Sequence, residues 1–466
     1  MIASKYSAIA LDLGTTSIKA GLLDRDGALG NIIARPAPKI IVTDGRYESA
    51  ALEYAAVAEQ VLNECIAQAG DCKSLGLCSQ RSSFLIWEQD TGEPLTPLIS
   101  WQDNRGAASC EALQTHEITI RNLTGLPLTP YYFAPKLRVV LQDNPGWLAR
   151  LERGELRVGT LDTFLIWRWS GGKHFLTDAS MAARTLLMDI RQQQWSPQLC
   201  KLFGIPLGIL PEIKPSAGLK LRLNNGLDLQ ASVGDQSAAL IASVNEDRAE
   251  ALVNLGTGCF VVRYLPEGKS ASHGYLQTFI YQDSAQNAHL AVEGTLNSVA
   301  AALAPYPVGE CTVDDLAEAD DIFCLAEPSG LGAPYFRGDI GIRFSQPVEH
   351  LTQRHVAGLL LEAVIFRVAR MLEEFHREYE IERVYLSGGL SELTCLQQGI
   401  ARCVPFEVYR LAQGESSLQG AALLAAGMAP ASHREGLRVA IVGNAKAMPE
   451  KYRRWKVWLD DLLALK

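Results

Sequence analysis

Two stretches of the chain share one pattern of apolar and polar positions. In the first, Ala8-Ile9-Ala10-Leu11 rises to Asp12, turns on Gly14 with Thr15, Thr16 and Ser17, and falls back into Ile18-Lys19-Ala20-Gly21-Leu22. The pattern predicts a strand, a glycine-containing turn and a second strand, paired as a hairpin. About 240 residues later, Ala251-Leu252-Val253-Asn254-Leu255-Gly256-Thr257-Gly258 runs into Cys259-Phe260-Val261-Val262 with the same layout, and Asn254 takes the place of Asp12. One strand–turn–strand unit occurring twice at that distance predicts two related domains.

The rest of the pattern is that of an α/β protein. Residues 50–69 carry helical periodicity, with Leu52, Ala55, Ala56, Val61, Leu62 and Ile66 largely on one face. Leu75-Gly76-Leu77-Cys78 predicts a short buried strand whose carboxyl end delivers Ser79-Gln80-Arg81-Ser82-Ser83, and ligands bind at such strand ends in open α/β sheets. Phe84-Leu85-Ile86-Trp87 predicts another strand. Val233-Gly234 then turns into an Ala-rich helix with Asp235 near its start. In the second half, a helix is expected from Ala291-Val292-Glu293-Gly294-Thr295 through Ala304, and the longest helix over 357–379. Val384-Tyr385-Leu386-Ser387 predicts a buried strand ending on Gly388-Gly389, and Glu415 to Ala422 begins a further Ala-rich helix. Residues 444–466 have the pattern of an amphipathic helix.

The turns suggest chemistry. A glycine lets the backbone approach a ligand, and hydroxyls with neighbouring amides can donate to phosphate oxygens. Gly14, Thr15 and Thr16, and in the second copy Gly256 and Thr257, are therefore candidates for holding phosphate. Asp12, at a strand end, can hold Mg²⁺ directly or through water. Gly388 and Gly389 would let an adenosine lie flat against the backbone.

Composition narrows the class. With 466 residues there is room for two or three domains, and 48% hydrophobic with 20% charged content is ordinary for a globular protein. A formal charge of −9 argues against nucleic acid or an acidic membrane surface as partner. Ten cysteines without CxxC spacing suggest reduced thiols in a cytoplasm. No apolar run reaches the length of a membrane span, so no membrane association is expected. His174, His273, His289, His350 and His355 show no metal-ligand spacing.

The order of motifs resembles the actin-like ATPase superfamily and, within it, the FGGY carbohydrate kinases, nearest the glycerol kinases. The resemblance rests on Gln80-Arg81, Thr91-Gly92-Glu93-Pro94, Trp101-Gln102-Asp103-Asn104-Arg105, Thr124-Gly125-Leu126, Lys136-Leu137 and Gly234-Asp235-Gln236, and covers most of residues 8 to 262. It implies an α/β fold of two actin-like (ribonuclease H-like) ATPase domains with an interdomain cleft. Residues 1–245 would form the N-terminal, sugar-binding domain and 246–466 the C-terminal, nucleotide-binding domain.

The implied activity is transfer of the ATP γ-phosphate to a hydroxyl of a small sugar or polyol, with Mg²⁺. Asp235 resembles the family's catalytic base and falls at the metal site with Asp12. Arg81, Tyr131, Asp235 and Gln236 match positions that hold the acceptor, Trp101 would form a platform, and Lys19 would steady a phosphate. Glycerol kinases carry Glu where this chain has Ser82, so a longer polyol or a ketose is expected, its hydroxyls reaching Ser82 and Arg81 together. On the nucleotide side Ala300, Ala304 and Leu393 also depart from that pattern, as does Val139 for an expected Trp. A pentulose kinase, a true glycerol kinase and a catalytically weak sugar- and nucleotide-binding sensor are the alternatives; self-association as a homo-oligomer stays open. Read without the family, Asp235 is a helix cap, Trp101 and Tyr131 are core aromatics, and Asp103 with Arg105 is a surface ion pair.

Overall fold

The computed structural model describes residues 5–246, 248–317, 321–412, 414–429, 436–442 and 446–464. Contacts divide the chain into two compact units. The first comprises Met1–Ala242, Phe279–Leu290 and Glu415–Ala431; the second comprises Ser243–Thr278, Ala291–Gly414 and Ser432–Lys466.

In the first unit the hairpin is β1 (Tyr6–Leu13) and β2 (Ser17–Asp24), extended by β3 (Leu29–Pro36). β1 pairs antiparallel with β2 and parallel with β4 (Ser74–Ser79), which in turn runs parallel to β5 (Asp228–Gly234). Side chains of β1 alternate between two cores, as the period of two requires. Ile9, Leu11 and Leu13 pack with Tyr54, Ala58 and Leu62 of α1 (Ala51–Ile66). Ala8 and Ala10 face the other way.

The second unit repeats this plan. β6 (Glu250–Leu255) pairs antiparallel with β7 (Cys259–Tyr264), β7 with β8 (Ala288–Leu296), and β6 runs parallel to β9 (Arg383–Ser387) and β9 to β10 (Glu407–Leu411). In both sheets the five labelled strands lie in the order third, second, first, fourth, fifth; Ala217–Arg222 adds a sixth strand beyond β5 in the first sheet, and Leu276–Gln282 and Gly436–Arg438 flank the five in the second. This is the actin-like, ribonuclease H-like arrangement, present twice.

Two features differ from the sequence expectation. Residues 291–295 are not helical. They lie in β8, with Phe260 opposite Thr295 and Val262 opposite Glu293, and the helix that follows is the short α3 (Val299–Leu303). The division at 245/246 is also too simple. After α2 (Asp235–Ser243), two later segments belong to the first unit. In one of them, α4 (Ser416–Ala426) sets Leu418, Ala422 and Leu423 against Ala8, Ala10 and Leu23. The contact is close because the facing residues are small: a Cβ on Gly420 would stand 1.9 Å from the Ala238 carbonyl oxygen of α2. Among the described residues no helix is long and apolar enough to cross a membrane.

Candidate functional site

In the first unit the parallel strands bring three motifs to one edge of the sheet. Leu13 of β1 and Gly234 of β5 both lie in register with Ser79 at the end of β4. Asp12, the segment from Gln80, and Asp235 therefore emerge side by side from three adjacent strands. Lys19 lies opposite Asp12 across the hairpin.

Asp235 opens α2 and is about a third exposed, with a side-chain accessibility of 31%. Its Oδ1 accepts from the Gln236 amide at 2.7 Å and stands 3.6 Å from Arg81 Nε. The Arg81 guanidinium also donates to Gln236 Oε1. Desolvation raises the Asp235 pKa and the Arg81 charge opposes that rise, so the carboxylate is more basic than its ordinary form while a neighbouring cation favours its charged state. Arg81, Asp235 and Gln236 thus form one polar constellation.

Asp12 is held more tightly. Burial, reinforced by the negative charge of Asp235, pushes its pKa up to about 7. Its Oδ1 is buried and finds no hydrogen-bond partner. A buried carboxylate oxygen with no donor, facing a second carboxylate, is the electrostatic setting a cation relieves. An all-oxygen pair suits Mg²⁺, which takes one or two carboxylates and completes its shell with water and phosphate oxygens. Among the described residues no group of three or more His, Cys, Asp or Glu able to hold a metal ion occurs.

The turn between β1 and β2 connects to the acceptor side. Trp101 Nε1 donates to Thr15 Oγ1 at 3.0 Å, and Thr15 Oγ1 donates to Gln80 Oε1 at 3.2 Å. The Gly14 carbonyl accepts from Tyr54 at 2.7 Å, and Thr16 is exposed. Trp101 and Tyr131, at 39% and 48% exposure, are surface aromatics rather than core ones. Lys19 Nζ meets Glu415 at 2.5 Å. That carboxylate arrives with α4, and sequence position alone gives no sign of it.

Ser82 requires a correction. It is 5% exposed, and its hydroxyl donates to the Arg184 carbonyl at 2.8 Å. Its φ of 64° lies in the left-handed region, which costs a side-chain-bearing residue about 1–2 kcal/mol. Lys136 holds this turn, its Nζ donating to the Ser82 and Ser100 carbonyls at 2.9 and 2.8 Å. The Ser82 proton is therefore committed to the backbone rather than offered to an acceptor.

Asp103 and Arg105 are likewise not a surface pair. Asp103 is fully buried and meets Arg105 Nε at 2.7 Å. Arg105 also binds Glu48, and Asp103 accepts the Tyr47 amide at 2.7 Å. The pair fastens the strand Arg46–Ser49, just before α1, to the segment that carries Trp101.

The second unit has its own candidate residues. Gly256 and Thr257 form the β6–β7 turn, with Thr257 exposed and its carbonyl accepting from the Ala300 amide at 3.1 Å. Gly388 follows β9 with φ of 86°, and a Cβ there would lie 2.4 Å from the Leu255 carbonyl oxygen. Only glycine lets the end of β9 press against β6 in this way. Gly389 is exposed with open space at its Cβ position. The fold thus brings Gly388 beside the Gly256 turn.

Comparison with known proteins gives a consistent picture. Residues 7–253 match the N-terminal domain model of the FGGY family of carbohydrate kinases, and residues 251–429 match its C-terminal domain model. Glycerol kinase 1 of Streptomyces avermitilis is 30% identical, over 98% of this chain and 93% of its own. The glycerol kinase of Bordetella parapertussis is 34% identical, over 90% of this chain and 87% of its own. The crystal structure of Plasmodium falciparum glycerol kinase with ADP superposes with a TM-score of 0.85 at 22% identity, covering 98% of this chain and 99% of that one. Ligand-bound xylulose kinase from Lactobacillus acidophilus gives 0.79 at 18% identity, covering 98% of each chain.

Proposed function

Because the chain belongs to the FGGY family of carbohydrate kinases, we propose that it transfers the γ-phosphate of ATP to a hydroxyl of a polyol or ketose longer than glycerol. Arg81 and Gln236 orient the acceptor, with Tyr131 and Trp101 as apolar walls. Asp235 takes the hydroxyl proton as the oxygen attacks. Gly14, Thr15 and Thr16 in the first unit, and Gly256, Thr257, Gly388 and Gly389 in the second, hold ATP. Lys19 exchanges Glu415 for a phosphate oxygen. Mg²⁺, held by Asp12 with Asp235 beside it, supplies charge neutralisation at the phosphates.

One observation carries the acceptor assignment. The residue after Arg81 is a serine whose hydroxyl is bonded to Arg184, so the strong carboxylate acceptor expected in a glycerol site is missing. A site that loses such an acceptor binds a three-carbon polyol less well. A longer molecule can recover contacts at Arg81, Asp235 and Gln236. The relatives are named glycerol kinases, which supports glycerol as the second reading.

The deciding experiment measures kcat/KM for glycerol, erythritol, xylitol, D-ribulose and D-xylulose in wild type and Ser82→Glu. Wild type should disfavour glycerol, and Ser82→Glu should shift preference toward it. Glycerol as the best wild-type substrate would return the protein to a plain glycerol kinase. ADP binding without turnover of any compound would favour a sensor. Asp235→Asn should lower kcat by roughly 10²–10⁴-fold, the scale of general-base catalysis, and near-normal turnover would remove Asp235 from the mechanism.

A further inference from the structure

Gln80 sits beneath both halves of the first-unit site, only 3% exposed. Its Oε1 accepts from Thr15 Oγ1 at 3.2 Å and from Ser83 Oγ at 2.9 Å. Its Nε2 donates to Tyr54 Oη at 3.4 Å and lies 3.5 Å from the Gly14 carbonyl. Ser83 Oγ in turn accepts from the Trp101 amide at 3.0 Å, and Trp101 Nε1 donates to Thr15 Oγ1 at 3.0 Å. The ring is closed: Gln80, Thr15, Trp101 and Ser83 return to Gln80.

We infer that Gln80 is a positioning residue that couples occupancy of the phosphate-gripping turn to the placement of the Trp101 wall. The inference rests on the kinase reading above and concerns how its two substrates communicate.

Proton counting supplies the reason. A threonine hydroxyl has one proton to donate and two lone pairs. Thr15 gives that proton to Gln80 while accepting from Trp101. A phosphate oxygen at the turn competes for the same proton, and donation to an anion is the stronger bond. Thr15 then releases Gln80 Oε1, which serves Ser83 alone, while a more polarised Thr15 oxygen binds the Trp101 indole more firmly. Both changes act on Trp101, one at its amide through Ser83 and one at its ring. An apolar residue in place of Gln80 would leave Thr15 and Ser83 without their shared partner, so the turn would reach Trp101 only through the direct Thr15 bond to its ring and no longer through its amide.

The test reads Trp101 directly. Its fluorescence is isolated as the difference between wild type and Trp101→Phe, and each protein is titrated with Mg·ADP while calorimetry follows ADP binding. In wild type, Mg·ADP should change Trp101 emission. In Gln80→Leu that change should shrink by about 5-fold or more, the lower range of site-to-site coupling, while ADP still binds. Gln80→Glu keeps the acceptor oxygen for Thr15 and Ser83 and should recover most of the response. Ser83→Ala, a small truncation, cuts the same ring and should weaken the response even if Gln80→Leu folds poorly. With glycerol and D-xylulose as acceptor probes, the dependence of the ATP KM on acceptor concentration should also disappear in Gln80→Leu. An undiminished Trp101 response in both Gln80→Leu and Ser83→Ala overturns the coupling. So does a silent Trp101 in wild type that binds Mg·ADP. Failure of wild type to bind Mg·ADP at all is a different result: it removes the kinase reading and this inference with it.

Discussion

Lys136 brings a cation into the interior and spends it on two backbone carbonyls. It is fully buried, and desolvation lowers its pKa to about 7, with Asp103 opposing that fall and Arg105 adding to it. The sign of the resulting pH effect follows from proton counting. Between about pH 7 and the ordinary lysine value of 10.5, the unfolded chain binds the proton that the folded one has released. Stability therefore rises with pH across that window, and the penalty of the buried charge is felt fully only below it. Lys136→Met removes this dependence. Urea unfolding of wild type and Lys136→Met at pH 7, 8 and 9 should show wild type gaining stability relative to the variant at each step. Parallel pH profiles would mean that Lys136 titrates as it does in the unfolded chain. Because Lys136 also holds Ser82 and Ser100, the variant should raise the acceptor KM more than the ATP KM at every pH.

At the scale of elements, the closest packing lies where α4 meets α2. Gly420→Ala would force a Cβ against the Ala238 carbonyl, and overpacking of this kind costs about 1–3 kcal/mol. The displaced helix carries Glu415 with it, so the Lys19 contact should change as well. The variant should lose that stability in a urea titration and show an altered ATP KM; an unchanged unfolding midpoint would show that α4 shifts freely. The same elements separate what the sequence reveals from what it hides. Both hairpins were legible because an apolar run broken by x-Gly-Thr has few other meanings, and β4 was legible because its apolar run stops at Gln80-Arg81. The docking of α4 was not, since an Ala-rich helix apolar on most sides carries no mark of which sheet it covers. β8 reads as helix in the sequence because Ala291 and Gly294 sit beside the Ala-rich 299–304 stretch, while its strand character comes from pairing with β7. That Asp12, Arg81 and Asp235 emerge side by side is legible from strand ends and motif order. Glu415 as the partner of Lys19 and Glu48 as the partner of Arg105 are not, because 396 and 57 residues of chain separate the pairs.

For the whole molecule, the return of α4 makes the first unit discontinuous, and this has a consequence for dissection. A fragment of residues 1–245 looks like a domain because it holds the whole first sheet, the helix α1 that covers one of its faces, and α2. It lacks the layer that covers Ala8, Ala10 and Leu23. It also lacks the 279–290 segment, where Gln282 donates to Ser216 and accepts from it at 3.1 and 2.9 Å, and where Phe279 packs with Ala179 and Met188. Leu418 and Leu423 alone are at most 1% exposed, and burying two leucines is worth about 3–6 kcal/mol. That is a large share of the roughly 5–15 kcal/mol by which a domain is stable. The fragment should therefore unfold without a cooperative transition, or precipitate through its uncovered sheet face. A second fragment, residues 1–290 joined by a Gly/Ser linker to 415–431, restores α4 and Phe279 and should unfold cooperatively. Circular dichroism through a urea gradient distinguishes the two. Cooperative unfolding of 1–245 with stability equal to that of the joined fragment would show that α4 covers the first sheet without helping to hold it together.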